Sequence, residues 1–196
     1  MSRGEPSLSA LVLAGGLARR LGGSKALRTV GGVAMLERVL RLAREVSDEL
    51  LLLRGERELD VPGTRHLADA PGVPGPMGAV LSGLSQARHA WCLLLPCDLP
   101  YGDAALVERL RDVAKHTSAD AVLLEDPHGL QPFHGLYRTA PARAAAEAYA
   151  ASGGRALRGW IDRLELARVP APADGLPLLD VDTPADLARA RRLSPS

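Results

Sequence analysis

Short apolar runs alternate with amphipathic stretches along the whole chain, and this alternation constrains the fold more than any other feature of the sequence. The runs have the length of buried strands and lie at Leu8 to Leu13, Leu50 to Leu53, Trp91 to Leu95, Ala121 to Leu124 and Leu178 to Val181. Between them, apolar side chains recur at helical spacing from Met35 to Ala43 and again from Leu106 to Val113. Strands that alternate with helices are typical of βαβ units, so we predict an α/β fold with a mostly parallel sheet.

Length and charge narrow the possibilities further. The chain has 196 residues, of which 46% are hydrophobic, which suits one core and is short for two. We therefore expect a single domain over residues 1–196. The formal net charge is +1, so we expect neither nucleic acid nor a membrane as a partner. Because Cys92 and Cys97 form no CxxC pair, we expect two buried thiols in a reducing cytoplasm.

The strongest motif is a glycine-rich loop that directly follows the first predicted strand. It runs from Leu11 to Lys25 and reads LVLAGGLARRLGGSK. Gly15 and Gly16 would let backbone N–H groups approach phosphate oxygens, while the two arginines and Lys25 supply positive charge. Lys25 is also one of only two lysines among 24 basic residues. We interpret the loop as a triphosphate site. The loop matches neither the GxGxxG pattern nor a Walker A loop. The alternative to a phosphate site is a generic turn between a strand and a loop.

A carboxylate ends the third predicted strand. Asp98 stands between two prolines in the sequence LLLPCDLPY, at the strand end where ligands of open α/β sheets bind. A hard oxygen at this place suits Mg²⁺, which takes one or two carboxylates together with substrate phosphates. The alternative is an aspartate that caps the turn before the next helix.

Further acidic residues lie near predicted strand ends. Asp180 and Asp182 are two residues apart, so in an extended segment they point the same way, and one of them could reach the metal. Thr183 and Pro184 then suit the start of a helix. Asp69 precedes the glycines of the segment GPMGAVLSG, where a nucleoside could lie against backbone.

The five histidines form no metal-binding motif, because none of them has the sequence spacing of HExxH or a comparable motif. Only His134 lies in a segment that looks functional, Gln131–Tyr137, and we do not expect it to act as a base. The other four are expected to be surface or core residues.

Taken together and in this order, the motifs resemble the molybdenum cofactor guanylyltransferase family, within the nucleoside-diphospho-sugar transferase folds. The resemblance covers almost the whole chain and rests on LAGG with its loop to Lys25, GPMG, PCD, QP, GR before an apolar helix, and the closing DTPxDL. It implies a three-layer, Rossmann-like α/β domain. It also implies an enzyme that transfers GMP from GTP to the terminal phosphate of molybdopterin with the help of Mg²⁺.

The resemblance implies roles for individual residues. Lys25 would bind the phosphates, Asp69 would contact the nucleoside, and Asp98 would hold Mg²⁺ and, with Lys25, act in catalysis. The nucleotide would be lined by backbone of the loop at Leu13, Ala14, Gly15 and Gly16. Guanine-using members tend to read LAGG and cytidylyl relatives LAAG, so this chain favours GTP. The family setting also implies transient contact with other proteins of molybdenum cofactor biosynthesis or with acceptor proteins.

The chain departs from the family pattern at three positions. Ser24 stands where members usually have Asp, Arg54 where many have Asn, and Asp182 where Asn is common. Two alternatives therefore stay open: a cytidylyl or sugar-phosphate nucleotidyltransferase of the same fold, or a GTP-binding protein that has lost catalysis.

Overall fold

The structure is a computed structural model, and it describes residues 6–15, 25–55 and 61–194. Its strands are β1 (Leu8–Leu13), β2 (Thr29–Val30), β3 (Val33–Ala34), β4 (Glu49–Leu53), β5 (Arg65–Leu67), β6 (Trp91–Pro96), β7 (Ala121–Asp126), β8 (Gly129–Arg138) and β9 (Leu166–Pro170). Its helices are α1 (Met35–Val46), α2 (Pro76–Gln86), α3 (Ala104–His116), α4 (Thr139–Ala151), α5 (Leu157–Ile161) and α6 (Pro184–Leu193).

A seven-stranded sheet with the order β5-β4-β1-β6-β8-β7-β9 forms the middle layer of this part of the chain. Helices α1 and α3 pack on one face, where their apolar side chains join those of the sheet in one core cluster. Helices α2, α4 and α5 pack on the other face in a second cluster. The three-layer α/β prediction is therefore confirmed.

The central strands are apolar at nearly every position because both faces of the sheet are covered. In β1, Ala10 and Val12 belong to the first cluster, whereas Leu11, on the opposite face, belongs to the second. Strands buried on both faces appear in sequence as continuous apolar runs, without polar alternation. The same reasoning explains why the predicted runs in β4, β6 and β7 correspond closely to the observed strands.

One strand, β8, runs antiparallel to its neighbours β6 and β7. It begins directly after β7 through a short turn at Pro127 and His128, in which the Asp126 carboxylate accepts a hydrogen bond from the His128 N–H (2.7 Å). Gly129, with φ of 119°, completes the turn. A hairpin of this length can join only antiparallel strands, so the sheet is mixed at this place.

The strand predicted at Leu178 to Val181 is wrong. The chain forms a 3₁₀ helix at Leu176–Leu178 instead, and β9 occupies the edge of the sheet beside β7. Gly175 adopts a left-handed conformation (φ 60°), and Pro177 has no N–H to give to a strand ladder. The apolar residues here pack on Val30 and Met35 and on α6, so they are buried without being in the sheet.

Side chains cap the starts of helices α3 and α6. The Asp103 carboxylate accepts a hydrogen bond from the Ala105 N–H at the start of α3 (2.9 Å). At the start of α6, Thr183 and Asp186 form a reciprocal capping box, and Pro184 is in the first turn. Both cysteines are buried, as expected. Within the described ranges, every helix is too short or too polar to cross a bilayer.

Candidate active site

Four adjacent strands end at one edge of the sheet. β5, β4, β1 and β6 are neighbours and run parallel, so the loops that follow them meet. These loops carry Gly15 after β1, Gly55 after β4, Asp69 after β5 and Asp98 after β6. Because ligands of open α/β sheets bind beyond the carboxyl ends of the strands, this edge is the candidate active site.

Backbone hydrogen bonds fix the point at which the glycine-rich loop leaves the sheet. The Ala14 N–H donates to the carbonyl of Leu53 (2.8 Å), and the Cys97 N–H donates to the carbonyl of Leu13 (3.0 Å). Ala14 is buried between these neighbours. The loop after β1 therefore starts between the loop of β4 and the loop that carries Asp98.

Gly15, Gly55 and Asp69 are packed closely together. A Cβ atom placed on Gly15 would lie 3.3 Å from the backbone nitrogen of Gly55 and from the carbonyl carbon of Arg54. Gly55 has φ of +59°, and a Cβ atom there would lie 3.8 Å from Oδ1 of Asp69. The Asp69 carboxylate thus approaches Gly55, where the positive φ favours glycine, whereas at Gly15 a side chain would press on the backbone of Arg54 and Gly55.

These three residues line a cleft of about 730 Å³, and its remaining wall is the loop at residues 68–75. We call it the glycine cleft. Its volume is within the range of pockets that hold small molecules and cofactors. The cleft places backbone and one carboxylate around a single space, as a site for a nucleoside requires.

The loop that closes the glycine cleft is held by the start of α2. The Ala70 N–H donates to the carbonyl of Gly78 (3.0 Å). A Cβ atom on Gly78 would lie 1.9 Å from the carbonyl oxygen of Val73, so no larger residue fits there without moving the loop. Gly75, with φ of 78°, makes the turn into the helix. The glycines of the GPMG motif are therefore explained by backbone packing at the cleft wall.

Asp98 is partly exposed at the end of β6. Its backbone carbonyl accepts a hydrogen bond from the Val181 N–H (3.1 Å), which brings the segment around Asp180 and Asp182 beside it. Val181 is fully buried, whereas both aspartates are exposed. The prediction that the two carboxylates point the same way stays a prediction, because it assumed an extended strand and the segment is not one.

A divalent cation at this edge would rely on Asp98 and on oxygens of the substrate. Within residues 6–15, 25–55 and 61–194, no three His, Cys, Asp or Glu side chains are grouped as a metal site. A single hard carboxylate fits Mg²⁺, which keeps several waters and binds substrate phosphates. It does not fit a structural zinc site, which needs four protein ligands.

Part of the predicted phosphate loop lies outside the described residues. Gly16, the two loop arginines and Ser24 belong to that part, and so does the side chain of Lys25. The backbone of Lys25 begins a 3₁₀ turn, Lys25–Leu27, and the next residue, Ala26, is buried against the core. The predicted approach of the Lys25 ammonium to the phosphates stays a prediction.

A second, smaller cavity at the same edge was not predicted from the sequence. Its volume is about 270 Å³, and we call it the hairpin cavity because the β7–β8 hairpin forms one of its walls. It is lined by Leu99, Asp126, His128, Gln131, Phe133, Leu178 and Asp180. The only sequence signal was the Gln-Pro pair in the segment Gln131–Tyr137, because the hairpin itself was not recognised.

His134 is not placed to act in this site. It is 1% exposed, and in the described part of the chain neither ring nitrogen has a hydrogen-bond partner. Burial lowers the pKa of His134 to about 4, and the negative charge of Asp103 offsets only part of this effect. Its ring packs beneath Gly102, and its φ of 55° is unusual for a residue with a side chain. The expectation that it is no general base is consistent with this environment.

Comparison with known proteins identifies the family. Residues 10–169 match the family model described as the MobA-like NTP transferase domain. The chain belongs to this family. It is a nucleotidyltransferase. It is 33% identical over 180 residues to the molybdenum cofactor guanylyltransferase of Pseudomonas fluorescens (strain SBW25), a match that covers 90% of each chain.

Solved structures of other members of this fold agree with the architecture. Molybdopterin-guanine dinucleotide biosynthesis protein A from Archaeoglobus fulgidus superposes with a TM-score of 0.80 at 19% identity, covering 95% of this chain and 97% of that chain. The Mycobacterium tuberculosis H37Rv protein Rv0371C, in complex with manganese, gives 0.70 at 19% identity and covers 96% of this chain and 100% of that chain. At 19% identity, these similarities support the fold of this chain and nothing further.

Proposed function

We propose that this protein transfers GMP from GTP to the terminal phosphate of molybdopterin, releasing pyrophosphate, and that a single domain over residues 1–196 carries out this reaction. The observation that carries the proposal is the glycine cleft, where Gly15, Gly55 and Asp69 surround one space beside the loop of Asp98. The choice of substrates is supported by the LAGG motif and by the guanylyltransferase relative that matches most of the chain.

The glycine cleft would receive the nucleoside of GTP. Its backbone walls can approach the base and ribose closely, and the Asp69 carboxylate can accept hydrogen bonds from N–H or O–H groups. β5 and β6 are separated by β4 and β1, so at ordinary strand spacing their ends lie about 14 Å apart. A nucleotide held at Asp69 by its nucleoside would therefore extend along the strand ends, with its phosphates toward Asp98.

The phosphates would be held between the loop after β1 and Asp98. Backbone N–H groups at Gly15 and Gly16 and the ammonium of Lys25 would bind phosphate oxygens. Asp98 would hold Mg²⁺, which when bound neutralises charge on the triphosphate. The hydrogen bonds on either side of Asp98 fix its backbone, which suits a residue that must keep a ligand in one position.

The chemistry needs no strong base from the protein. A phosphate monoester has its second pKa near ~6, so the terminal phosphate of the acceptor is ionised at neutral pH. One of its oxygens attacks the α-phosphorus of GTP in line, a new P–O bond forms, and the bond to the bridging oxygen of pyrophosphate breaks. The protein then has to align the two substrates and oppose the developing charge. The neutral, buried state of His134 is consistent with this mechanism.

Substrate choice can be tested by pyrophosphate release. The purified protein is incubated with Mg²⁺, molybdopterin and each of GTP, CTP, ATP and UTP in separate reactions. We expect release with GTP only, and none when molybdopterin is omitted. Faster release with CTP would favour the cytidylyl alternative. Tight GTP binding without release under any acceptor would favour a protein that has lost catalysis.

The role of Asp98 can be tested by substitution. We expect Asp98→Ala to lower kcat at least about 100-fold, because removing one group that stabilises transition-state charge costs this much in other enzymes. Its unfolding midpoint should remain close to that of the wild type. Asp112→Ala, which removes an exposed carboxylate on α3, is the matched control and should keep full activity. Near-normal turnover of Asp98→Ala would remove Asp98 from the site.

A further inference from the structure

A third apolar cluster is separate from the two that cover the faces of the sheet, and we call it the third cluster. It consists of the buried residues Val30, Met35, Val181, Leu187 and Ala190, with Tyr101 and Leu179 packed against them. These residues come from the segment that follows Lys25, from the loop that follows Asp98, and from the C-terminal segment that contains α6. The third cluster therefore joins the last helix to both loops that carry the predicted phosphate-binding groups.

Arginines from two helices hold the segment that follows Lys25. This segment forms the antiparallel pair β2 and β3, which begins at Thr29, shortly after the 3₁₀ turn of Lys25. From α1, Arg38 donates to the Val30 carbonyl through Nε (3.0 Å) and Nη2 (2.6 Å). From α6, Nε of Arg191 donates to the Thr29 carbonyl (3.0 Å). Because a two-stranded hairpin is at best marginally stable by itself, its position depends on these contacts and on the third cluster.

The loop that follows Asp98 is held by the same C-terminal segment. The Tyr101 hydroxyl donates a hydrogen bond to the carbonyl of Ala190 in α6. The Val181 N–H, shortly before α6, donates to the Asp98 carbonyl (3.1 Å). Val181 and Ala190 are both fully buried. Because a buried polar group is costly to leave without its partner, these two hydrogen bonds oppose displacement of the loop.

The sheet anchors both loops at a second point. Ala26, the residue after Lys25, and Cys97, the residue before Asp98, are buried in the first core cluster. Each loop is therefore attached to the main core at one residue and to the C-terminal segment at another. The position of the Asp98 loop relative to the backbone at Lys25 depends on both attachments.

We propose that α6 positions the two predicted phosphate-binding groups, Lys25 and Asp98, relative to each other. Arg191 is the positioning residue for the segment that follows Lys25, and Tyr101 is the positioning residue for the loop of Asp98. Neither touches the substrates, and each acts through the backbone of a loop that does. The inference rests on the proposed function, since it concerns how the triphosphate of that reaction is aligned. Alignment matters because a displacement of about 1 Å can lower a rate by about 100-fold.

Tyr101→Phe tests the contact at the Asp98 loop, because it removes the hydroxyl and keeps the ring in the third cluster. We expect kcat for GMP transfer to fall about tenfold and KM for the acceptor to stay within about twofold. GTP affinity is also measured by calorimetry, with Mg²⁺ and with EDTA. The factor by which Mg²⁺ strengthens GTP binding should fall about threefold, because Asp98 holds the metal less well against the phosphates.

Thr139→Val is the matched control for Tyr101→Phe. It also removes a hydroxyl that donates to a backbone carbonyl, that of His89 (2.6 Å). This contact lies at the start of β6, at the opposite edge of the sheet from Asp98. The control should lose a comparable amount of stability and keep both the wild-type kcat and the wild-type effect of Mg²⁺ on GTP binding. A kcat that falls equally in both variants would overturn the role of Tyr101.

Arg191→Ala tests the contact at the Lys25 segment, and Arg192→Ala is its control, because it removes the same charge from the same turn of α6. We expect Arg191→Ala to lower kcat about tenfold and to weaken GTP binding about threefold, and the control to stay within about twofold of the wild type. Because Arg191 acts through Lys25, adding Arg191→Ala to Lys25→Ala should weaken GTP binding no further. Effects that multiply in the double variant would overturn the role of Arg191.

The outcome can be distinguished from failure of the proposed function. If GMP transfer is found but Tyr101→Phe and Arg191→Ala keep kcat within about twofold of the wild type, the positioning role of α6 is wrong and the proposed function stands. If no nucleotide is transferred, the binding measurements still decide the inference. An effect of Mg²⁺ on GTP affinity that depends on Tyr101, together with an effect of Arg191 that depends on Lys25, would then support the positioning role while the proposed function fails.

Discussion

The buried histidine gives a quantitative prediction about stability and pH. Burial lowers the pKa of His134 to about 4 in the folded chain, against 6.5 in the unfolded chain. The unfolded state therefore binds a proton in a pH range in which the folded state does not. Above pH 6.5 the titration of His134 does not reduce the free energy of unfolding. Below that pH the free energy of unfolding decreases as the pH falls toward 4. The difference of about 2.5 pKa units corresponds to a total loss of about 3 kcal/mol.

Most of this loss falls within an experimentally convenient range. By linkage, protonation of His134 in the unfolded state should cost about 2 kcal/mol between pH 7 and pH 5. The charged group that acts on His134 is Asp103, whose carboxylate caps α3 and favours the protonated ring, but its effect is smaller than that of burial. Gly102, which packs against the ring, carries no charge.

The assay is urea unfolding at pH 7 and pH 5, for the wild type and for His134→Leu. The variant removes the titrating group, so its free energy of unfolding should decrease by about 2 kcal/mol less over this interval than that of the wild type. Contributions of all other groups cancel in the comparison to first order. His116→Gln, a change at an exposed histidine, is the control and should keep the wild-type difference. Equal losses for the wild type and His134→Leu would refute the reasoning.

Two further predictions concern packing. Gly78→Ala should destabilise the protein by about 1–3 kcal/mol and weaken GTP binding, because its methyl group would collide with the Val73 carbonyl in the cleft wall. Thermal melting measures the first effect and calorimetry the second, with Ser82→Ala on the same helix as the control. Glu49→Ala should lower the free energy of unfolding, measured by chemical denaturation, by about 2–4 kcal/mol, because the buried Glu49 carboxylate accepts hydrogen bonds from Ser9, Arg65 and the Arg88 backbone. GTP affinity should change little, because this carboxylate is far from the strand ends of the site. A loss below about 0.5 kcal/mol for either variant would contradict the packing described.

The central strands could be predicted from sequence because burial on both faces leaves an unbroken apolar run. β1 corresponds exactly in extent to its predicted run, and β4, β6 and β7 differ by one or two residues at their ends. β8 lacked such a signal, since Gln131, Pro132 and His134 interrupt its apolar residues. The run at Leu178 to Val181 was misleading for the opposite reason. It is apolar because it is buried against α6, and a run of four residues does not show which partner buries it.

The candidate site could be predicted in part. The motifs correctly indicated loops at strand ends, but the proximity of Asp69 to Gly15 depends on the strand order β5-β4-β1-β6. A short sequence pattern does not contain that order. The hairpin cavity could not be predicted either, because it requires the antiparallel β8 to bring Gln131 to the same edge. The pairing of Lys25 with Asp98 across the phosphates stays a prediction.

The glycine cleft depends on close backbone packing at the ends of parallel strands. A side chain on Gly15 would press on the backbone of Arg54 and Gly55, and one on Gly78 would collide with the Val73 carbonyl. Gly55 differs, because its neighbours leave room for a methyl group and it is the positive φ that favours glycine there. One cleft therefore uses glycine for two physical reasons, which are the lack of space at Gly15 and Gly78 and the backbone conformation at Gly55.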